Sequence, residues 1–102
     1  AAIDFILKHS AAFAQAKAQR VYLEEFRRSK RSLLMAQSDA PAANAREQYA
    51  YAHPEYIELL GALQAAVETE EELRWQLIAA QARVDIWRSQ EASNRSVDRA
   101  TR

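Results

Sequence analysis

The chain has 102 residues with 14 basic and 14 acidic side chains, so its formal net charge is zero. That balance excludes a bulk electrostatic field that would draw the protein onto nucleic acid or an anionic membrane, and leaves only local charged patches. The absence of cysteine excludes disulfides and thiolate chemistry. A single glycine and two prolines, in a chain rich in Ala, Gln, Glu, Arg and Leu, predict an all-α fold.

The first predicted element is a helix over about residues 4–37, where no residue type interrupts a helix. Apolar side chains recur there at spacings of three and four, which predicts one packed face. The members of this face are Leu7, Ala11, Ala14, Ala18, Tyr22, Phe26 and Leu33. Its three alanines allow a partner helix to approach closely.

Residues 38–41 form the clearest loop signal in the chain. Asp39 is able to cap a following helix, and Pro41 fits the first turn of that helix. We therefore expect a short helix over about residues 42–52. It ends at His53, because Pro54 disfavours helical geometry in the residue before it and opens the next helix.

A third helix is predicted over about residues 54–94, followed by a polar tail over 95–102 that we expect to fray. Its apolar residues alternate in steps of four and three, the heptad pattern of a coiled-coil seam with Glu70 as a polar member. The seam consists of Leu59, Leu63, Ala66, Glu70, Leu73, Leu77, Ala80, Val84 and Trp87.

Two long helices with a short connection predict a long antiparallel, coiled-coil-like hairpin that forms a single domain over residues 1–102. The third helix carries further apolar residues outside its seam, and the first helix carries others at its start. An antiparallel hairpin brings these two segments together, which predicts an exposed protein interface. Its members are Ile3, Ile6, Phe13, Trp75, Ile78, Ala82, Ile86 and Trp87.

Two interpretations of this surplus apolar surface stay open. A two-helix unit of this size buries little, so we expect a homo-oligomer or a partner protein to cover the surface. Alternatively, the short middle helix, with Tyr49, Tyr51 and Tyr56 near it, folds back over part of that surface.

Two sets of basic residues are candidate nucleic-acid contacts, because a basic stripe can follow a phosphate backbone. The first set is Lys17, Arg20, Arg27 and Arg31 with Arg28 and Lys30 beside them, and the second is Arg88, Arg95, Arg99 and Arg102. In the alternative interpretation, the first set pairs across the hairpin with Glu58, Glu68, Glu71 and Glu72. The second set has fewer acidic neighbours and is the better candidate. Trp75 and Trp87 are suited to stack on bases or to anchor packing.

No catalytic or metal-binding motif is recognisable. Glu55-x-x-Glu58 and Glu68-x-x-Glu71 are paired carboxylates of the kind found in all-α nucleotide pyrophosphatases, but the downstream Glu-x-x-Asp is missing. Neither histidine follows a glutamate at the spacing of di-iron bundles. We expect no enzyme activity, no metal and no cofactor. The apolar runs are far shorter than the roughly 20 residues of a membrane span, so we expect a soluble, cytoplasmic protein.

Three stretches carry a resemblance: VYLEEFRRSK from Val21, ANAREQYAYAHPEY from Ala43, and LRWQLIAAQARVDIWRSQEASNR from Leu73. They resemble small helical proteins of tailed bacteriophages and prophages that are associated with early gene clusters for recombination and replication. The resemblance implies an accessory protein of the host cytoplasm that works beside a strand-annealing protein, a single-strand binding protein or a nuclease.

The predicted function is therefore a non-enzymatic phage accessory protein that acts by protein–protein interaction, in DNA recombination and replication or in modulation of host defence. The alternative is direct binding of single-stranded nucleic acid through the two basic sets.

Overall fold

The computed structural model describes residues 1–101, and all of their regular structure is helical. The helices are α1 (Ala2–Gln37), α2 (Ala43–Ala52) and α3 (Pro54–Thr101), with no strand in the described residues. The all-α prediction is confirmed. The predicted domain is divided between two compact units: unit 1 combines Ala1–Ala14 with the described residues from Glu71 onward, and unit 2 is Gln15–Glu70.

The helix α3 is longer than the sequence pattern predicts. It continues to Thr101, seven residues beyond the expected end at residue 94. The polarity of this segment suggested fraying, but residues 95–101 contain neither glycine nor proline, so nothing in them terminates a helix. The Thr101 hydroxyl donates a hydrogen bond to the Val97 carbonyl at 3.2 Å. The last residue of the predicted tail, 102, lies outside the described residues.

The junction between α2 and α3 is built by His53. Its backbone is extended, with φ −66° and ψ 135°, and its N–H donates to the Ala50 carbonyl at 3.2 Å. The His53 ring then starts the next helix, since Nδ1 accepts the N–H of Glu55 at 3.1 Å. The break falls immediately before Pro54, where the proline pattern places it.

The start of α2 differs from the expectation that Asp39 caps it. The capping position is Ala42, which makes no side-chain cap, and Pro41 precedes the helix instead of opening it. The loop is held from the other side, because the Arg46 guanidinium donates to the carbonyls of Ala40 at 3.1 Å and Pro41 at 3.0 Å. The side chain of Arg46, the fourth residue of α2, thus fixes the loop by donating to its carbonyls, while Ala42 supplies no side-chain cap to the N-terminal N–H groups of α2.

Unit 2 has a small core in which all three helices meet. Leu34 of α1 is completely buried, as is Ala50 of α2, and both pack with Tyr56 of α3. Met35 packs against this cluster from the edge. The short helix α2 therefore covers the end of α1 and the first turns of α3 within unit 2.

The packed face of α1 is a different one from the face that the apolar spacing predicts. Leu7 is 71% exposed, and Tyr22 and Leu33 are exposed as well. The buried positions of α1 are Leu23 and Leu34. The prediction is wrong because two charged residues, Arg20 and Lys30, share the packed side of unit 2, and their ionic partners lie on α3. A pattern that counts only apolar residues cannot find such a face.

The predicted seam of α3 is found on its packed side in both units. In unit 2 it comprises Leu59, Leu63, Ala66 and Glu70, and in unit 1 Leu73, Leu77, Ala80 and Val84, all of them buried or half-buried. The assignment of Trp87 to the seam is wrong, since this side chain is 58% exposed. No helix within residues 1–101 has both the length and the apolar character needed to cross a membrane.

Candidate interaction surfaces

Unit 1 has an exposed apolar stripe on α3 formed by Trp75, Ile78, Ala82 and Ile86, which we name the outer stripe. Trp75 and Ile86 are more than half exposed, and Ile78 is 43% exposed. These positions recur every three or four residues and share one face of the helix. The buried residues Ala80 and Val84 occupy the opposite face. The structure thus leaves open the second apolar face predicted for this segment.

Charged side chains flank the outer stripe at its start. The Arg74 guanidinium lies over the Trp75 ring, 4.8 Å from the ring centroid, a distance that suits a cation–π contact. The same guanidinium pairs with Glu71, with Nη2 and Oε2 2.7 Å apart. These contacts position the indole ring while Trp75 stays more than half exposed. Trp75 thus presents apolar surface next to a charged pair.

The start of α1 contributes less to the predicted interface than the sequence suggests. Ile3 is exposed, but Ile6 and Phe13 are half-buried, on the side of α1 that packs within unit 1. Phe5 stacks on His9 on this side, with ring centroids 3.8 Å apart. Ile6 and Phe13 are therefore partly buried inside unit 1. The exposed apolar surface of this unit lies mainly on α3.

Ile3 and Trp87 do come together, in an apolar cleft of unit 1. The cleft has a volume of about 250 Å³ and is lined by Ala1, Ala2, Ile3, Arg83, Val84 and Trp87. Its lining lacks carboxylates, so it offers chiefly apolar contact beside one guanidinium. Trp87 thus lines a cleft at the side of the seam, which explains its exposure.

A further apolar face is open on α1, in the residues that were expected to pack. Leu7, Ala11 and Ala14 are exposed in unit 1, and Ala18, Tyr22 and Leu33 are exposed in unit 2. In unit 2 Tyr22 stacks in parallel on Phe26, with centroids 5.8 Å apart. The apolar spacing of α1 therefore marks a face that is largely exposed, with Phe26 as its one half-buried member.

Part of the first basic set, which lies on α1, forms ion pairs within unit 2. The Arg20 guanidinium donates hydrogen bonds to both carboxylate oxygens of Glu70, with Nη2 3.0 Å from Oε1. Its Nη1 also lies 3.1 Å from Oε2 of Glu24. The hydrogen bond to Glu70 is the main cause that raises the pKa of Arg20 above its ordinary value. Arg20 satisfies the buried carboxylate of the seam, and so does not present a free cation to a ligand.

Lys30 forms the second ion pair of this kind. Its Nζ lies 2.7 Å from Oε2 of Glu55, and this hydrogen bond lowers the pKa of that carboxyl. Pairing of this basic set with glutamates of α3 is therefore observed for Arg20 and Lys30, but with other glutamates than those predicted. The partners are Glu70 and Glu55, not the four glutamates expected, because Glu70 sits in the seam and Glu55 lies in the first turn of α3.

The remaining arginines of α1 line a polar cleft of unit 2, which we name the basic cleft. It has a volume of about 370 Å³ and is formed by Arg27, Arg28, Arg31, Tyr51 and Tyr56. Arg31 donates from Nη1 to the Tyr51 hydroxyl at 2.9 Å. The two tyrosines stand edge to face, with centroids 5.3 Å apart. Sequence reasoning missed this grouping because each tyrosine comes from a different helix.

The other candidate nucleic-acid residues are isolated on the surface. Lys17, Arg88, Arg95 and Arg99 are all exposed. The last three lie within helical α3 and form no ion pair within residues 1–101. Acidic residues alternate with them along the helix, namely Asp85, Glu91 and Asp98. The local charge of this segment is therefore mixed.

The paired glutamates do not converge on a common site. Glu55 is bonded to Lys30, and Glu71 to Arg74. Within residues 1–101 no group of three or more His, Cys, Asp or Glu side chains is arranged to hold a metal ion. Glu55 and Glu71 each act in an ion pair of the fold.

Comparisons with protein-family models, with curated proteins and with solved structures give no match. The resemblance to phage proteins therefore stays a prediction.

Proposed function

We propose that this protein is a non-enzymatic helical hairpin that acts by protein–protein interaction, forming a homo-oligomer and docking a partner through the outer stripe of unit 1. The observation that carries the proposal is the exposure of Trp75, Ile78 and Ile86 on the face of α3 opposite its packed face. Contiguous apolar surface of this kind is typical of protein interfaces. Tryptophan in particular is enriched among the residues that dominate binding energy.

The antiparallel hairpin is part of the same proposal. Within unit 2, Arg20 pairs with Glu70, and Lys30, ten residues later in α1, pairs with Glu55, fifteen residues earlier in α3. Partners that run in opposite sequence order support an antiparallel arrangement of the two helices in this unit. The connection between these two helices contains the short helix α2.

Self-association is proposed because the described chain buries little on its own. Its buried apolar residues are Leu23, Leu34, Ala50, Tyr56, Ala80 and Val84. Half of these residues form the one small cluster in unit 2. Domains with so small a core generally gain stability from oligomerisation or from a partner. A second copy packed on the outer stripe would remove Trp75 and Ile86 from water.

The biological setting is proposed from the three sequence stretches alone. It is a bacteriophage accessory protein in the host cell, with a partner that belongs to DNA recombination, DNA replication or host defence. Capture of bound proteins from phage-infected cells tests this setting. The wild-type chain is expected to retain a protein of one of these classes that an Ile78→Glu/Ile86→Glu variant does not retain. Identical sets of captured proteins would contradict it.

The alternative, binding of single-stranded nucleic acid, is favoured by one observation, the basic cleft of unit 2. Against it, Arg20 and Lys30 already hold carboxylate partners. Phosphate contacts make affinity fall steeply with salt. The alternative therefore predicts oligonucleotide binding that weakens with salt and is reduced by Arg88→Glu or Arg95→Glu.

The oligomeric state tests the proposed interface directly. Sedimentation equilibrium over a range of protein concentrations should show association of the wild-type chain and a monomer for Ile78→Glu/Ile86→Glu. The matched control is Gln90→Glu/Asn94→Glu, which adds the same charge to exposed positions of α3 outside the outer stripe. This control should associate as the wild type does. A wild-type chain that stays monomeric at the highest concentration would refute the proposal. An equal loss of self-association in the variant and the control would refute it as well.

A further inference from the structure

We propose that the basic cleft of unit 2 is a binding site for a phosphate group. Arg27 and Arg28 are adjacent in α1, and Arg31 follows one turn later, so three guanidinium groups border one opening. Tyr51 of α2 and Tyr56 of α3 close the other side. The volume of about 370 Å³ is many times the roughly 30 Å³ that one water molecule occupies in the liquid.

None of the three arginines of this cleft forms an ion pair with a carboxylate in the described chain. Arg27 and Arg28 make no hydrogen bond or ion pair within residues 1–101, whereas Arg20 and Lys30 are each paired with a glutamate. Arg31 bonds to a neutral hydroxyl, that of Tyr51. The cleft thus concentrates positive charge that the fold has not neutralised.

Arg31 supplies the most specific observation. Its Nε is buried and has no hydrogen-bond partner within the described residues. A buried donor without an acceptor is unfavourable, and native structures rarely leave one. An acceptor that enters the cleft lets the guanidinium turn and pair this N–H. The site therefore has an unsatisfied donor as well as excess charge.

Electrostatics keep the site cationic. The hydrogen bond to Tyr51 is the main cause that raises the pKa of Arg31 above its ordinary value, and Glu47 adds a smaller contribution. Because the Tyr51 oxygen accepts from Arg31, its own O–H hydrogen is free to donate to a ligand. The cleft then offers guanidinium and hydroxyl donors together.

Phosphate fits this donor set better than a carboxylate does. Guanidinium groups bind phosphate oxygens through two parallel hydrogen bonds, and a phosphate has more oxygens to share among three arginines. The group can come from inorganic phosphate, from a mononucleotide or from a nucleic-acid strand. This site is independent of the outer stripe, which lies in unit 1.

The test is an NMR titration of the full chain at constant ionic strength, followed through the ring signals of Tyr51 and Tyr56. The probes are inorganic phosphate, adenosine monophosphate, a thymidine oligonucleotide and acetate. We expect saturable shifts with the three phosphate-bearing probes and none with acetate. Equal affinity for phosphate and the mononucleotide assigns the site to the phosphate alone. Tighter binding of the oligonucleotide assigns it to a strand.

The variant that isolates the site is Arg27→Gln/Arg28→Gln, and the matched control is Arg95→Gln/Arg99→Gln, which removes the same charge elsewhere. We expect the site variant to bind inorganic phosphate about tenfold more weakly, a loss of about 1.4 kcal/mol, and the control to bind inorganic phosphate as the wild type does. If the double variant fails to fold, Arg28→Gln alone is used, since Arg28 is exposed and makes no hydrogen bond in the described chain. That variant should show a smaller loss.

Two results would overturn the proposal. One is the absence of saturable shifts at the two tyrosines with any phosphate-bearing probe. The other is equal weakening in the site variant and the control, which would mean that only diffuse charge attracts the anion. Self-association measured on the same variants separates this site from the proposed function, because neither Arg27 nor Arg28 belongs to the outer stripe.

Discussion

Replacement of Leu34 by alanine probes the core of unit 2 and the orientation of α1 at once. Leu34 is completely buried against Ala50 and Tyr56. A buried Leu→Ala change costs about 2–5 kcal/mol, through lost burial and the cavity left behind. For a domain of this size each kcal/mol lowers Tm by roughly 4–8 °C, so a loss near 3 kcal/mol corresponds to about 10–25 °C.

The preceding residue is a matched control. Leu33 undergoes the same chemical change, but its side chain is 57% exposed. Exposed substitutions away from special features usually change stability by less than about 0.5 kcal/mol. Urea and thermal unfolding, followed by the circular dichroism of the helices at low protein concentration, should therefore separate Leu34→Ala clearly from Leu33→Ala.

The comparison also decides which face of α1 is packed. The apolar spacing of the sequence places Leu33 on the packed face, whereas the structure places Leu34 there. If Leu33→Ala costs as much stability as Leu34→Ala, or more, Leu33 lies on the packed face, and α1 does not turn its apolar stripe outward.

Two further predictions concern α3. Gly61→Ala should raise stability by about 0.5–1 kcal/mol, because Gly61 lies inside the helix and an added Cβ meets no atom within 4 Å; a lower unfolding midpoint would contradict this. Lys30 lowers the pKa of Glu55, so this ion pair stabilises the fold above the unfolded-state pKa of about 4.3 and is lost as pH falls through the lowered value. The Glu55 side chain is 55% exposed, so the effect should be small and weakened by salt. Urea midpoints against pH should fall less steeply on the acid side in Lys30→Gln than in the wild type, and equal slopes would count against the pair.

Parts of the candidate surfaces were accessible from the sequence. Trp75, Ile78 and Ile86 are predicted as surplus because they lie off a regular seam, and the structure leaves them exposed. Ile6 and Phe13 were predicted to be part of the exposed interface, but both are half-buried. Their burial depends on which face of α1 packs. The basic cleft was not predicted, because its arginines and tyrosines are distant in the chain and are joined only by the packing of three helices.

The sequence by itself determined what depends on local backbone chemistry and on one regular pattern. It predicted a helical chain, the break at His53 before Pro54, and the packed face of α3 as far as Val84. Each follows from residue type and spacing within a single segment, without reference to a partner. This is why the α3 seam was found even though it contains the charged residue Glu70.

Only the tertiary structure decided which side of α1 is packed and what its cations do. Arg20 lies on that side because Glu70 of the α3 seam needs a partner when it is buried. In unit 2 the apolar stripe of α1 is left exposed at Tyr22 and Leu33. The buried carboxylate and its guanidinium partner lie on two different helices. The spacing of residues within either helix alone therefore does not predict the pair.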